Sequence, residues 1–168
     1  MEKEVETIFL SALEQNREKL FRICSIYSED EEGAKDLFQE VLVHIWRSMS
    51  TFKGNSAIGT WMFRVALNVC LRFKSKYTKN QNRLIRLDSI TISNLRSQEN
   101  NEEENEKLHA LRECVKKLNE GNKAIVVLHL EGLAYKEISS VLGISENYVA
   151  VKIKRIKSEL LHCINEVS

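Results

Sequence analysis

The chain has 168 residues, which is enough for one or two small domains. Lysine and arginine total 25 and aspartate and glutamate total 24. This near-neutral charge excludes a protein that binds nucleic acid through a uniformly basic surface. Any nucleic-acid partner must instead be bound by local clusters of charge. No apolar run approaches the length of a membrane span and no secretory signal opens the chain, so we expect a cytoplasmic protein.

The spacing of apolar residues predicts the fold class. Apolar residues recur at intervals of three and four rather than two, and the sequence contains no proline. The alternation typical of strands is nearly absent. We therefore predict an all-α fold.

The four cysteines are predicted to be small core residues. Cys24, Cys70, Cys114 and Cys163 lie far apart and show none of the paired spacings of zinc sites. A reducing compartment also disfavours disulfides. The four histidines are equally scattered, and no Gly-rich phosphate loop or nucleophile–base pair is present. We expect no enzyme activity, cofactor, metal or small-molecule substrate.

Two amphipathic helices are predicted in the first part of the chain. Apolar positions from Val5 to Ile23 share one face of the first helix. The acidic run at 28–33 is predicted to be a solvated turn whose carboxylates favour the start of the next helix. A second helix over 36–49 has a wide apolar stripe, and Trp46 on that stripe is predicted to be a core residue.

A turn at 52–56 leads into a third helix that continues beyond Lys76. Apolar side chains cover most of this helix, and Trp61 and Phe63 are predicted to pack in the core rather than to stack on bases. The polar exceptions are spaced by four, so they form one narrow line that is predicted to be the only solvent-facing or ligand-facing side. They are Thr60, Arg64, Asn68, Arg72 and Lys76.

An acidic segment divides the sequence into two domains. Residues 88–105 combine several glutamates with Asn, Gln and Ser and carry too little apolar surface to pack. Such a composition is typical of a flexible linker. The predicted domains are 1–87 and 106–168, and the second is predicted to be a four-helix unit.

The last third of the chain has the pattern of a helix-turn-helix. Ile138 and Leu142 lie on one face of a short helix. Gly143 permits a left-handed turn, and Ser145 can cap the next helix. That helix buries a stripe beginning at Val149 and leaves a largely basic face outward, as a helix that enters the major groove of DNA requires. The same geometry also occurs in helical hairpins that bind no nucleic acid.

Three ordered segments resemble the sigma-seventy family of bacterial transcription initiation factors. Residues 36–46 are similar to the family's D-L-x-Q-E-x-F…W helix. Residues 52–68 are similar to its F-x-G-x-S…T-W-L-Y-R-I-A-x-N segment, and residues 135–149 to its s-Y-x-E-I-A…L-G-I-S-x-x-T-V segment. The size, the two-domain layout and the short linker match the extracytoplasmic-function (ECF) group. The resemblance covers nearly the whole chain and implies a sigma factor that directs core RNA polymerase to promoters.

The resemblance also implies three groups of site residues. The surface that faces the clamp helices of the polymerase large subunit would comprise Asp36, Gln39, Glu40 and Val43. The minus-ten element would be captured and melted by Phe52, Lys53, Asn55, Ser56, Arg64, Asn68, Arg72 and Lys76. The minus-thirty-five element would be bound by Asn147, Ala150, Val151, Lys152, Lys154 and Arg155. The polymerase flap and an anti-sigma protein are further partners that the resemblance implies.

The second domain departs from the family pattern in two places. Residues 118–120 lack the proline that family members often place there, so we expect this helix junction to differ. Residues 147–149 read Asn-Tyr-Val where the family has G-T-V, and Ala150 and Val151 replace a more polar pair. An apolar edge of this kind is suited to contact thymine methyl groups.

A stand-alone helix-turn-helix regulator is the alternative interpretation. Its first domain would serve oligomerisation, and it would bind an operator tightly without polymerase. A sigma-like interaction module is a third hypothesis, and an enzyme is the least favoured.

Overall fold

The computed structural model describes residues 2–54, 56–80 and 102–167. Within these residues the chain forms seven α-helices and one short 3-10 turn, and no strand. The prediction of an all-α fold is therefore confirmed. The chain divides into two compact units, residues 1–94 and 95–168.

Three helices form the first unit, and each packs against the other two. They are α1 (Glu2–Ile26), α2 (Glu31–Ser48) and α3 (Ile58–Asn80), with the 3-10 turn at Met49–Thr51 between α2 and α3. The core between them consists of almost completely buried side chains, each of which stabilises the fold by about 1.5–3 kcal/mol. These include Leu20, Ile23, Leu37, Val41, Ile45 and Met62.

Helix α2 begins earlier than the sequence pattern indicated. Its N-cap is Asp30, whose Oδ1 accepts a hydrogen bond of 2.7 Å from the Gly33 N–H. Glu31 and Glu32 lie in the first turn, where carboxylates interact favourably with the helix dipole. A Cβ atom at position 33 would lie 3.0 Å from Asp30 Oδ1, so glycine leaves the space that this cap needs. The prediction of a turn extending to residue 33 is therefore wrong.

Four helices form the second unit, as predicted. They are α4 (Glu102–Lys116), α5 (Glu120–Leu130), α6 (Tyr135–Leu142) and α7 (Glu146–Val167). Helix α7 packs against each of the other three and so organises the core of this unit. Residues 88–101 of the predicted linker lie outside the described residues, whereas 102–105 belong to α4.

The junction between α4 and α5 uses a side-chain cap in place of the family's proline. Oδ1 of Asn119 accepts a hydrogen bond of 2.8 Å from the Asn122 N–H. Asparagine is among the preferred residues at this position because its oxygen satisfies an N–H that the helix leaves unpaired. The expected difference from the family at this junction stays a prediction, and in this chain Asn119 caps α5.

The prediction for the cysteines is wrong for two of the four. Cys24 and Cys70 are buried free thiols, as expected. Cys114 on α4 and Cys163 on α7, in contrast, form a disulfide with their Cα atoms 6.0 Å apart. The packing of α4 on α7 brings together two residues separated by 49 positions, a proximity that no local spacing indicates.

Candidate polymerase and nucleic-acid interfaces

The four residues predicted to face polymerase share the outward side of α2. They follow one another at i, i+3, i+4 and i+7, so they are neighbours on the helix surface, and all four are exposed. They are Asp36, Gln39, Glu40 and Val43. Val43 is 43% exposed, which places an apolar side chain one turn after the carboxylate of Glu40. Such a face suits a partner helix that carries cations around an apolar patch.

Trp46 extends this face, so its assignment to the core is wrong. The indole is 45% exposed, and it packs edge-on against Phe9 of α1 with ring centroids 5.2 Å apart. Trp46 lies three residues after Val43 and is therefore its neighbour on the helix surface. The apolar stripe of α2 is wider than the surface that α1 and α3 cover, and its edge remains in solvent.

A groove between α1 and α2 borders the same face. Its lining includes Phe21 and Phe38, whose rings meet edge to face with centroids 5.6 Å apart. Arg17, Lys35 and Gln39 also line it. Gln39 thus belongs both to the groove and to the predicted polymerase surface.

The loop predicted to capture a base of the minus-ten element is anchored by an aromatic pair. The rings of Phe52 and Trp61 lie 5.2 Å apart at an interplanar angle of 45°. Gly54 has a φ of 76°, a left-handed conformation that favours glycine. Phe63 is buried, as predicted, whereas Trp61 is only half-buried, although its ring contacts Phe52.

The other predicted residues of this loop differ in their surroundings. Lys53 is exposed. The Ser56 hydroxyl donates a hydrogen bond of 3.3 Å to the backbone oxygen of Ala57. Asn55 lies outside the described residues. An exposed lysine beside a fixed aromatic ring is a suitable arrangement for a phosphate and an unstacked base.

Three polar side chains of the predicted line are exposed along α3. They are Arg64, Asn68 and Arg72. Nε of Arg72 donates a hydrogen bond of 3.3 Å to the backbone oxygen of Asn68, which holds the guanidinium along the helix. Thr60 is buried, so the line begins at Arg64, and the exposed Leu71 shows that the line is not the only face in solvent. Lys76 lies on α3, but its side chain is outside the described part of the structure.

Local hydrogen bonds fix the turn between α6 and α7. Gly143 ends α6 with a φ of 70°, and its N–H donates to the backbone oxygen of Ser139 at 2.9 Å. The Ser139 hydroxyl donates in turn to the backbone oxygen of Ile144. Oγ of Ser145 accepts a hydrogen bond of 3.1 Å from the Tyr148 N–H and so caps α7. The predicted helix-turn-helix is confirmed.

Helix α7 turns its apolar stripe inward and its basic side outward. Val149, Ile153 and Ile156 are buried, as predicted. Four residues predicted to bind the minus-thirty-five element are exposed: Asn147, Val151, Lys154 and Arg155. Ala150 and Lys152 are half-buried at the two margins of this face.

Tyr148 lies on the same outward face, although it is not among the predicted site residues. It is 47% exposed, and the Nζ atom of Lys152 lies 5.5 Å from the centroid of its ring. The sequence does indicate Tyr148, because it places a bulky aromatic residue where the family has threonine.

Helix α7 contains a cluster of positive charge that no acidic residue interrupts. No acidic residue interrupts the chain between Glu146 and Glu159, whereas this stretch contains four lysines and arginines. Burial, and to a lesser extent the positive charge of Lys157, lowers the pKa of the His129 imidazole. His129 therefore adds little positive charge near neutral pH.

The described residues contain no group of three side chains arranged to hold a metal ion. No helix in the same part of the chain is long and apolar enough to cross a membrane.

Comparison with known proteins identifies the family. The model of sigma-70 region 2 matches residues 12–80, and the model of sigma-70 region 4 matches residues 108–160. The chain belongs to the sigma-70 family. This sigma factor is 28% identical over 138 residues to the ECF RNA polymerase sigma-E factor of Escherichia coli, covering 74% of this chain and 70% of that protein. It is also 27% identical over 131 residues to RNA polymerase sigma factor YlaC of Bacillus subtilis, covering 77% of this chain and 76% of that protein.

Solved structures of sigma factors share the fold. CnrH in complex with the cytosolic domain of CnrY gives a TM-score of 0.70 at 19% identity, covering 97% of this chain and 91% of CnrH. The sigma factor RpoE of Bartonella quintana, solved with the anti-sigma factor NepR, gives a TM-score of 0.66 at 17% identity. That match covers 97% of this chain and 98% of RpoE. These two structures show the fold, and the family models and sequence relatives identify the chain as an ECF-type sigma factor, a member of a family of transcription initiation factors.

Proposed function

We propose that this sigma factor distributes three tasks over three surfaces. The outward face of α2 binds the clamp helices of the polymerase large subunit. The Phe52 loop and the line Arg64, Asn68 and Arg72 capture and melt the minus-ten element. The outward face of α7 binds the minus-thirty-five duplex. The proposal is supported most by one observation: these surfaces expose side chains of the chemistry that each task needs.

The chemistry of each surface supports its task. Strand separation requires cations that track phosphates and aromatic rings that receive unstacked bases, as found on α3 and its preceding loop. Duplex binding requires a helix that leaves one face free and carries cations beside that face, as α7 does. The carboxylates on the α2 face make that face unsuitable for DNA and suitable for a protein partner.

The near-neutral net charge supports joint rather than independent binding. A charge of +1 supplies little long-range attraction to DNA, so neither unit is expected to bind a promoter tightly alone. Joining two weak sites in one chain raises the effective concentration of the second site to roughly millimolar. Core polymerase supplies the remaining contacts.

An anti-sigma protein is a further proposed partner. The structural relative from Bartonella quintana was solved with one. Val43 and Trp46 offer such a regulator an exposed apolar patch on the same α2 face, so that it would compete with polymerase.

Because core polymerase and the chromosome are cytoplasmic in bacteria, we also propose a cytoplasmic location.

Reconstituted transcription tests the function. Core RNA polymerase supplied with this protein is expected to initiate at specific sites on genomic DNA of the host, and core polymerase alone is not. Initiation that is independent of the protein at every site would contradict the proposal. Tight operator binding by the protein alone, without affinity for core polymerase, would instead favour a stand-alone regulator.

A further inference from the structure

Two side chains with large apolar surfaces lie next to each other on the outward face of α7. Tyr148 is 47% exposed and Val151 is 44% exposed, although the core stripe of the same helix is almost completely buried. Because they are three residues apart, they are neighbours on the helix surface. The sequence predicts an apolar edge formed by Ala150 and Val151. Because Ala150 is half-buried, the exposed apolar edge consists of Tyr148 and Val151 instead.

The local structure holds Tyr148 in place. Its backbone N–H donates to the capping Oγ of Ser145 at 3.1 Å, which fixes it in the first turn of α7. The ammonium of Lys152 lies 5.5 Å from its ring centroid, a distance at which a cation is attracted to the face of an aromatic ring. The tyrosine is therefore presented outward by a cap on one side and a cation on the other.

The surroundings of this pair are complementary to DNA. Lys152, Lys154 and Arg155 follow within one or two turns, and no acidic residue lies between Glu146 and Glu159. The first turns of a recognition helix are the part that approaches base edges in the major groove. Cations at its margins meet the phosphates that border the groove.

We propose that Tyr148 and Val151 form the base-reading edge of α7 and select thymine through its C5 methyl group. The major-groove edges of the four bases differ in hydrogen-bonding groups, and the thymine methyl is the apolar feature among them. The inference rests on the proposed binding of α7 to minus-thirty-five DNA. It assigns sequence preference to an apolar pair and leaves polar contacts to Asn147 and Arg155.

The test removes the methyl group without changing base pairing. Holoenzyme formed from core polymerase and the full chain is used to select a preferred minus-thirty-five sequence from a randomised duplex. Each thymine of the selected duplex is then replaced by deoxyuridine. At one or two positions the replacement is expected to weaken binding about fourfold, the change that corresponds to exposing one methylene-sized group.

Variants connect this loss to the two side chains. With Tyr148→Ala or Val151→Ala, thymine and deoxyuridine duplexes are expected to bind equally at the affected position, whereas Tyr148→Phe should keep the difference. Leu161→Ala is the matched control, because Leu161 is 63% exposed on the same helix outside this edge. It should leave the thymine preference unchanged. Both alanine changes are at exposed positions, and circular dichroism checks that helix content is retained.

Each outcome separates the edge from the wider function. Methyl sensitivity that is lost in the alanine variants supports the proposal. A holoenzyme that selects a sequence and initiates there, yet binds thymine and deoxyuridine duplexes equally, overturns the edge while leaving the proposed function standing. Failure to enrich any sequence contradicts the proposed function and the edge with it. An equal loss of affinity for all sequences in Tyr148→Ala would show that the tyrosine contacts only the DNA backbone, which also overturns the edge.

Discussion

Exposed apolar pairs lie at both candidate interfaces of this sigma factor. Val43 and Trp46 on α2, and Tyr148 and Val151 on α7, are each three residues apart and exposed. A single exposed apolar side chain is ordinary on a protein surface, whereas adjacent ones framed by charge are typical of binding sites. The charged neighbours of the pairs differ: Asp36 and Glu40 precede the first pair on α2 and Arg47 follows it, whereas Lys152, Lys154 and Arg155 follow the second pair. At the residue scale, we therefore expect the carboxylates before the α2 pair to favour a protein partner and the cations after the α7 pair to favour DNA.

The carboxylates on α2 are expected to matter for polymerase and not for folding. Asp36→Ala combined with Glu40→Ala should weaken binding to core polymerase by at least roughly tenfold, since charged groups at an interface contribute through complementary partners. Helix content should not change, because both side chains are exposed. Binding is measured by fluorescence anisotropy of labelled protein titrated with core enzyme.

The matched control for this pair is Glu6→Ala with Glu14→Ala. These residues are also exposed acids, but they lie on α1 and are not among the residues that line the groove. They should leave core affinity close to that of the unmodified protein. Equal affinities for both double variants would locate the polymerase surface elsewhere.

At the scale of secondary structure, each candidate site depends on how a helix begins. The Asp30 cap sets the start of α2, and the Ser145 cap sets the start of α7. The Phe52–Trp61 pair ties the loop before α3 to that helix. Because successive helix residues are rotated by a fixed angle, a shift of one residue at any of these starts would rotate the entire outward face.

The turn before α7 is expected to require glycine. Gly143→Ala should destabilise the second unit by about 1–2 kcal/mol, because the position has a φ of 70° and L-residues are disfavoured there. No atom lies within 4 Å of a Cβ built at this residue, so the cost is conformational rather than steric. Urea denaturation of the two proteins measures the difference.

Gly121→Ala is the control for this substitution. Gly121 lies in α5 without a positive φ, and its added Cβ would be 3.6 Å from the nearest atom, an ordinary contact. Alanine at this position should be neutral or stabilise by about 0.4–1 kcal/mol. Equal effects of the two substitutions would contradict the conformational explanation for Gly143.

The exposed line on α3 is expected to act through phosphates. Arg64→Ala and Arg72→Ala should each reduce the slope of log affinity against log salt by about 0.7, the value for one phosphate contact on single-stranded DNA. The measurement uses holoenzyme and a single-stranded oligonucleotide with the minus-ten sequence. Arg17→Ala, an exposed arginine on α1, should leave the slope unchanged. A slope that is unaltered in all three variants would remove α3 from the DNA path.

At the scale of the whole molecule, each unit contains one pair of neighbouring cysteines. Cys24 and Cys70 are buried thiols that interact in the first unit. Cys114 and Cys163 form the disulfide of the second unit. A disulfide that closes a loop of this length stabilises a fold by roughly 2–4 kcal/mol, mainly by restricting the unfolded chain. Because a four-helix unit of this size has a limited core, we expect this cross-link, when oxidised, to contribute a large part of the unit's stability.

Thiol chemistry and hydrogen exchange are expected to distinguish the two pairs. A hydrogen bond with Cys24 and burial raise the pKa of the Cys70 thiol, so the native, non-reduced protein should react slowly with a thiol reagent. Two thiols should become reactive in denaturant and four after reduction as well. Cys114→Ser with Cys163→Ser should lower hydrogen-exchange protection in 106–166 and leave protection in 3–73 unchanged.

A substitution in the cysteine pair of the first unit is the control for the double serine variant of the second unit. Cys70→Ala should reduce protection in the first unit alone, because it removes a buried side chain from that core. Loss of protection in both units from either variant would contradict the prediction that each cysteine pair stabilises only its own unit. Four reactive thiols in denaturant without reductant would show that the disulfide is absent.

Local patterns in the amino-acid sequence account for part of this architecture. The 3.6-residue period predicts the helices, because a helix that packs on a core must place its apolar residues on one side. Gly143 and Ser145 predict the turn, because a left-handed residue and an N-cap are chemical requirements of single positions. The ordered segments at 36–46, 52–68 and 135–149 indicate the family.

Other features are decided only by how the helices pack. The sequence predicts an apolar stripe on α2, but the width of the surface covered by α1 and α3 decides that Trp46 stays exposed. Periodicity cannot reveal the Cys114–Cys163 disulfide, because contact between α4 and α7 joins positions that are distant along the chain. The sequence by itself thus determined which helices form and to which family the chain belongs. The tertiary structure decided which side chains of each helix remain exposed to a partner, since burial depends on the neighbouring helices and not on the residue alone.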